Sequence, residues 1–148
     1  MYAYAASREH PIEHLTRYNK SMKFIGHDSD IINYLVNDLT LLNSTIKSFK
    51  KHEIEGNPAI SILFELAYTE ADVMLIFREV FTNGFTGNPA AEPYQIDSCK
   101  FYHIGSKIYF SADPDESEEG LDGISEDDND FVLCKSVEGY IFEEGADA

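Results

Sequence analysis

Apolar side chains recur along this chain with two different periods. Over residues 10–22, Ile12, Leu15, Tyr18 and Met22 fall three, three and four positions apart, forming one stripe of a helix. Pro11 suits its first turn, where no amide donor is needed. From Ala59 onward the alternation is that of strands. Ile60, Ile62, Phe64, Leu66 and Tyr68 share one face and Ser61 and Glu65 the other, with Leu63 blurring the pattern. Gly56-Asn57-Pro58 breaks the chain ahead of this strand, and Thr69-Glu70-Ala71-Asp72 reads as a hairpin loop behind it. The next strand, 73–81, opens apolar enough for burial on both faces. A Gly- and Pro-containing loop over 84–93 follows, and further strands are expected near 94–103, 107–111, 131–134 and 140–143.

Residues 28–50 fit both periods. Ile31, Leu35, Leu39, Leu42, Ile46 and Phe49 keep a helical spacing, with Asp28 or Ser29 as a cap. Ile32, Tyr34 and Val36 alternate instead, and Asn37-Asp38 suits a turn between strands. Both readings stay open here. The expected fold class is α+β and sheet-dominated: an antiparallel β-sheet or sandwich with an N-terminal helix, in a single domain over 1–148.

Composition supports a packed core. Of the 148 residues 43% are hydrophobic and 13% aromatic, too apolar for a disordered chain despite a net charge of −16. Cys99 and Cys134 form no CxxC pair and fall in expected strands, so both are read as buried, inert thiols. The N-terminus lacks the basic start and apolar run of a signal peptide, and no stretch approaches the ~20 apolar residues of a membrane span. A cytoplasmic location is the resulting expectation.

The charge is unevenly placed. Residues 1–52 carry seven basic and five acidic side chains, whereas 113–148 carry fourteen acidic ones and a single basic residue, Lys135. Ten of those carboxylates stand in 113–130: Asp113, Asp115, Glu116, Glu118, Glu119, Asp122, Glu126, Asp127, Asp128 and Asp130. With no Lys or Arg among them, and with only Leu121 and Ile124 strongly apolar, the stretch is expected to be a mobile loop between two strands. Direct binding to nucleic acid or to anionic membranes is disfavoured, because both are polyanions. A basic protein partner is favoured, with these ten residues as the contact.

Catalytic and metal motifs are poorly supported. His10-Pro11-Ile12-Glu13-His14 spells the HxxEH of a zinc-peptidase group, in which two His on one helix face grip the metal. Pro11 sets His10 ahead of the helix, no further acidic ligand suggests itself, and the chain is small for such an enzyme. A twelve-residue calcium register from Asp115 offers Ser117, Glu119, Gly120 at its sixth place and Glu126 at its last, but Asp122 occupies the normally apolar eighth place and the flanks read as strands. The sequence holds no GxSxG elbow and no GxxxxGK loop. His27-Asp28-Ser29 is adjacent dyad material that suits a cap or turn better than catalysis. No metal, no cofactor and no catalytic residue are assigned.

Three segments together resemble a group of small bacterial β-rich proteins: Gly26-His27-Asp28-Ser29-Asp30-Ile31, Ile76-Phe77-Arg78-Glu79-Val80, and the acidic 125–130 leading through Phe131 into a strand. In that group an HDS-plus-aliphatic start precedes paired strands, an F-x-x-V strand follows, and an acidic loop leads to the last strands. The chain departs from the pattern in its long insert around 45–57 and its separate N-terminal helix. Some members are proposed immunity proteins that neutralise a toxin. The resemblance implies paired strands over 28–50 and a non-catalytic, immunity-type binding role against a basic toxin. The alternatives are a nucleic-acid-mimicking inhibitor of a DNA-binding protein and a weak calcium-binding domain.

Overall fold

The computed structural model describes residues 20–38, 40–117 and 123–144. Among these residues seven strands form one antiparallel sheet: β1 (Lys20–His27), β2 (Thr45–Ile54), β3 (Asn57–Glu65), β4 (Asp72–Asn83), β5 (Lys100–Ile104), β6 (Lys107–Asp113) and β7 (Asn129–Glu144). Their order across the sheet is β2-β3-β4-β7-β6-β5, with β1 also on β7. The described residues are mostly β, and the one short α-helix among them, α1 (Ser29–Asn33), runs into a wider turn over Tyr34–Asp38. The strands make one sheet, not a sandwich. No helix among the described residues is long and apolar enough to cross a membrane.

Two-residue turns set the register of the hairpins. Glu55 and Gly56 join β2 to β3 with φ of 55° and 85°, the doubly left-handed geometry that matches the twist of flanking strands. The chain therefore reverses one residue earlier than Gly56-Asn57-Pro58 suggests. Pro58 already lies in β3, opposite Glu53 and beyond the last β4 pair, Ala59 with Arg78. Gly105-Ser106 joins β5 to β6, with Gly105 at φ 62° in the first central position.

β7 is the organising strand. Its 16 residues replace the two short strands expected near 131–134 and 140–143. One edge pairs with β4 from Asp72–Phe142 to Asn83–Val132. The other edge is shared end to end, β6 taking Asn129 to Cys134 and β1 taking Glu138 to Glu144. Asp28 fills the gap between them: its N–H donates to Val137 O (2.8 Å), and its Oδ1 accepts the Val137 N–H (3.0 Å). Holding that position puts Asp28 at φ 52°, ψ −122°, costly for a residue with a Cβ.

The larger of two core clusters lies on one face of the sheet. Ile62, Phe64, Val73, Leu75, Phe77, Ile108 and Phe110 are sealed there by Ile31, Ile32 and Leu35 from the helical segment and by Phe85 and Ile96 from the loop after β4. Ile31 sits directly over Gly139, where a Cβ would lie 2.2 Å from its Cδ1. Gly139 thus gives the helix its close approach to β7.

Three further expectations change. Residues 20–22 of the expected 10–22 helix are strand, because they pair with Glu144, Glu143 and Phe142 of β7; the rest of that helix lies outside the described residues. Residues 28–50 are neither one helix nor a strand pair. Ile31 and Leu35 keep a helical spacing and are buried, but Leu42 at the same spacing is 41% exposed and the chain is β2 from Thr45. The strand expected at 94–103 shrinks to Lys100–Ile104, preceded by a lone bridge between Gln95 and Thr45.

Candidate functional site: the acidic loop and its anchor

The loop between β6 and β7 is built inward onto one carboxylate. Asp113 pairs with Asn129 as the strands separate, and Ser111 Oγ donates to Asn129 O (2.7 Å), closing the neck. Asp128 then folds back under the loop with its side chain fully shielded from solvent. Its Oδ1 accepts the Asp115 amide (2.7 Å) and Lys100 Nζ (2.9 Å). Its Oδ2 accepts the Tyr109 hydroxyl (2.6 Å), the Ser125 amide (3.0 Å) and Lys100 Nζ again (3.2 Å). Lys100 also donates to Gly123 O (2.9 Å). Both arms of the loop, through Asp115 and through Gly123 and Ser125, thus converge on one buried ion pair, Lys100 of β5 with Asp128 just ahead of β7, backed by Tyr109 of β6.

The electrostatics follow from this cage. Burial works to raise the Asp128 carboxyl, but hydrogen bonds from Tyr109, Ser125, Asp115 and Lys100 outweigh it and hold the group below the usual carboxylate range. The Tyr109 phenol is driven up, first by burial and then by its bond to Asp128. Asp115 is held low by the Ser117 amide and the Ser125 hydroxyl, which donate to its Oδ1 (2.9 Å) and Oδ2 (2.7 Å).

The ten carboxylates expected as one contact surface divide accordingly. Asp113, Glu116, Glu126 and Asp127 are exposed, while Asp115 and Asp130 are half-buried. Glu116 accepts from Ser98 Oγ (2.7 Å), and Asp130 accepts the hydroxyl of Tyr94. Asp128 differs from the rest: its carboxylate is buried and bonded inside the protein. Glu118, Glu119 and Asp122 lie outside the described residues.

Lys100 and Tyr109, which make this site, were not singled out from sequence. A faint signal exists for Lys100, a single cation between Cys99 and Phe101 in a chain otherwise short of basic residues. Charge burial of this kind requires a partner, and the chain had many to offer.

Other chemistry does not assemble. His27 Nδ1 lies 3.3 Å from Asp28 Oδ2, but Ser29 Oγ bonds a different histidine, His103 Nε2 of β5, at 2.9 Å. With Asp28 occupied by Val137, the trio serves a turn. The calcium register from Asp115 is flanked by β6 and β7, and both Asp115 oxygens already hold protein hydrogens. Among the described residues no group of three or more His, Cys, Asp or Glu is placed to hold a metal. His10, Glu13 and His14 lie outside them. Cys134 is buried in β7 and Cys99 half-buried just before β5; burial raises their thiols to about 12 and about 11. Compared with known protein families, curated proteins and solved structures, the chain matches none.

Proposed function

We propose that the protein is a non-catalytic binding protein of immunity type, which docks its acidic loop on a basic surface of another protein, such as the nucleic-acid-binding face of a toxin. One observation carries the reading. Both arms of the loop are tied to the buried Asp128–Lys100 pair, so that Asp113, Glu116, Glu126 and Asp127 stand exposed on anchored backbone. An anchored carboxylate array loses less conformational entropy on docking than a free tail, and its field steers a basic partner. Steering of this kind raises association rates by about 10–10³-fold and weakens with salt.

The test is a pull-down from the source cell with the intact chain and with a D113N/E116Q/E126Q/D127N variant, at low and at high salt. Capture of a basic protein that weakens with salt and is lost with the variant supports the reading. Capture indifferent to both overturns it.

A further inference from the structure

β4 is interrupted near its end. Its ladder with β7 runs regularly from Asp72–Phe142 to Arg78–Ser136, then slips by one residue between Val80 and Thr82, so that Phe81 has no partner across it. Glu79, just before the slip, takes the left-handed φ of 53°. A β-bulge of this kind re-aims side chains. Val80 still packs against the larger core, while Phe81 is turned out and 55% exposed. The face it joins follows from β6. Ile108, Phe110 and Ala112 belong to the larger core, so Lys107 and Tyr109 point to the other face. Tyr109 donates to Asp128 there, which puts the acidic loop on that side. Lys107 Nζ lies 4.7 Å over the Phe81 ring, which puts Phe81 on the same side. Between them stand Leu133, opposite both Tyr109 and Thr82, and Phe131, whose ring is 6.0 Å from that of Tyr109. Both are half-buried. The loop adds Ile124, 49% exposed between its anchored neighbours Gly123 and Ser125.

We propose that this apolar strip, centred on Phe81 and Leu133, and the acidic loop form one docking footprint for a protein whose cationic patch adjoins an apolar hollow. The inference rests on the acidic-loop reading above and names the second half of its contact. Charge steers and orients, whereas affinity comes from aromatic and aliphatic anchors buried inside a polar rim. The footprint has the right size. A strand rises about 3.4 Å per residue, so Leu133 lies about 14 Å along β7 from Asn129 at the loop's neck. A stable interface covers about 800 Å² of each partner, a patch about 30 Å across, and spans both. Lys107 beside Phe81 repels a cationic patch at that end, and so fixes which end of the footprint the partner's charges meet. Charge also decides among occupants. A second copy carries the same net charge of −16, and an anionic membrane the same sign, so a basic protein is favoured over both.

The basic protein captured by the intact chain is purified and titrated with the full chain, with F81S and with the D113N/E116Q/E126Q/D127N variant. F81S is expected to weaken the complex about tenfold or more, by the same factor at every salt concentration at which the complex forms. The loop variant is expected to weaken it most at low salt. F81S binding as tightly as the intact chain overturns the shared footprint and leaves the acidic-loop reading standing. Binding indifferent to salt and to the loop variant overturns that reading, and the footprint with it, whatever F81S does. An extract that yields no basic protein able to bind sinks both. Should F81S lose its β-sheet circular dichroism, the full chain with p-benzoylphenylalanine in place of Phe81 decides. Tyr68, 68% exposed in the loop between β3 and β4, carries the same group as a remote reference. Cross-links to the basic protein from position 81 and not from 68 support the footprint. Cross-links only to a second copy of this chain, or none, overturn it.

Discussion

Replacing Asp128 by Ala removes the acceptor on which the acidic loop closes. It leaves the Lys100 ammonium, 7% exposed, without that carboxylate, and deprives the Tyr109 hydroxyl and the Asp115 and Ser125 amides of their acceptor. Breaking a buried pair by deleting one partner costs about 3–5 kcal/mol. The four donors share one group, so their separate values do not add. Against a domain stability of about 5–15 kcal/mol, D128A should therefore lower the urea midpoint by roughly 2 M. Lys100→Met is the informative companion. It removes the cation itself and leaves Asp128 with Tyr109 and two amides, so it should cost about half as much. Urea unfolding followed by circular dichroism measures both, and amide exchange at Asp115 and Ser125 should quicken in each. A D128A cost under about 1 kcal/mol, or a K100M cost exceeding it, would refute the idea that this carboxylate anchors the loop.

The pH dependence has a fixed sign. The folded Asp128 carboxyl is held below its ordinary value, so its contribution is complete above the unfolded carboxylate pKa of about 4 and is lost as pH falls through the lower folded value. Asp128→Asn should flatten that part of the acid limb and leave the limb above pH ~5 unchanged.

Three further outcomes test the frame that carries the loop. Gly139→Ala forces a Cβ to within 2.2 Å of Ile31 Cδ1 and should cost about 1–3 kcal/mol in urea unfolding, partly recovered by adding Ile31→Val. Asp28→Ala loses the bond to Val137 and keeps a Cβ at φ 52°, so it should be more destabilising than Asp28→Gly, which loses the bond but relieves the backbone; thermal melts rank the two. Ellman's reagent at pH 8 should find neither thiol quickly reactive in the native protein and both in urea, since burial holds Cys99 near 11 and Cys134 near 12.

The strands at the centre were legible because alternation is a local property. Ile60, Ile62 and Phe64, then the solid apolar start of β4, announce two strands, although Ser61 and Leu63 are buried as well, so that β3 is covered on both faces where the alternation shows only one. Residues 28–50 were not, because Ile46 and Phe49 satisfy a helical period by coincidence; what decides their fate is pairing with Phe64 and Ile62 across a hairpin. Nor could β7 be seen as continuous, since its middle is held by β4 on one side and by Asp28 on the other, both remote in sequence. The loop shows the same limit more sharply. Ten similar carboxylates look alike until Lys100 and Tyr109, 28 and 19 residues away from Asp128, choose one of them.

That choice bears on what the remaining carboxylates can do. A loop so charged repels itself, and any Lys or Arg set around it would also cancel its outward field. Among the described residues, the cation that meets this loop in an ion pair is Lys100, and it is spent inside, on Asp128. Asp115, Glu116 and Asp130 are steadied instead by neutral donors: an amide of Ser117 and the hydroxyls of Ser125, Ser98 and Tyr94. Neutral donors order a carboxylate without neutralising it, so the loop keeps its shape and its field together. The two properties then separate under salt. The Asp128–Lys100 pair, withdrawn from solvent, is screened little, whereas the exposed array loses reach as the Debye length falls from about 10 Å at 0.1 M to about 3 Å at 1 M. Docking that fails at high salt while the loop amides stay protected is the behaviour this construction implies, and it distinguishes an anchored acidic surface from a tail that only keeps the protein in solution.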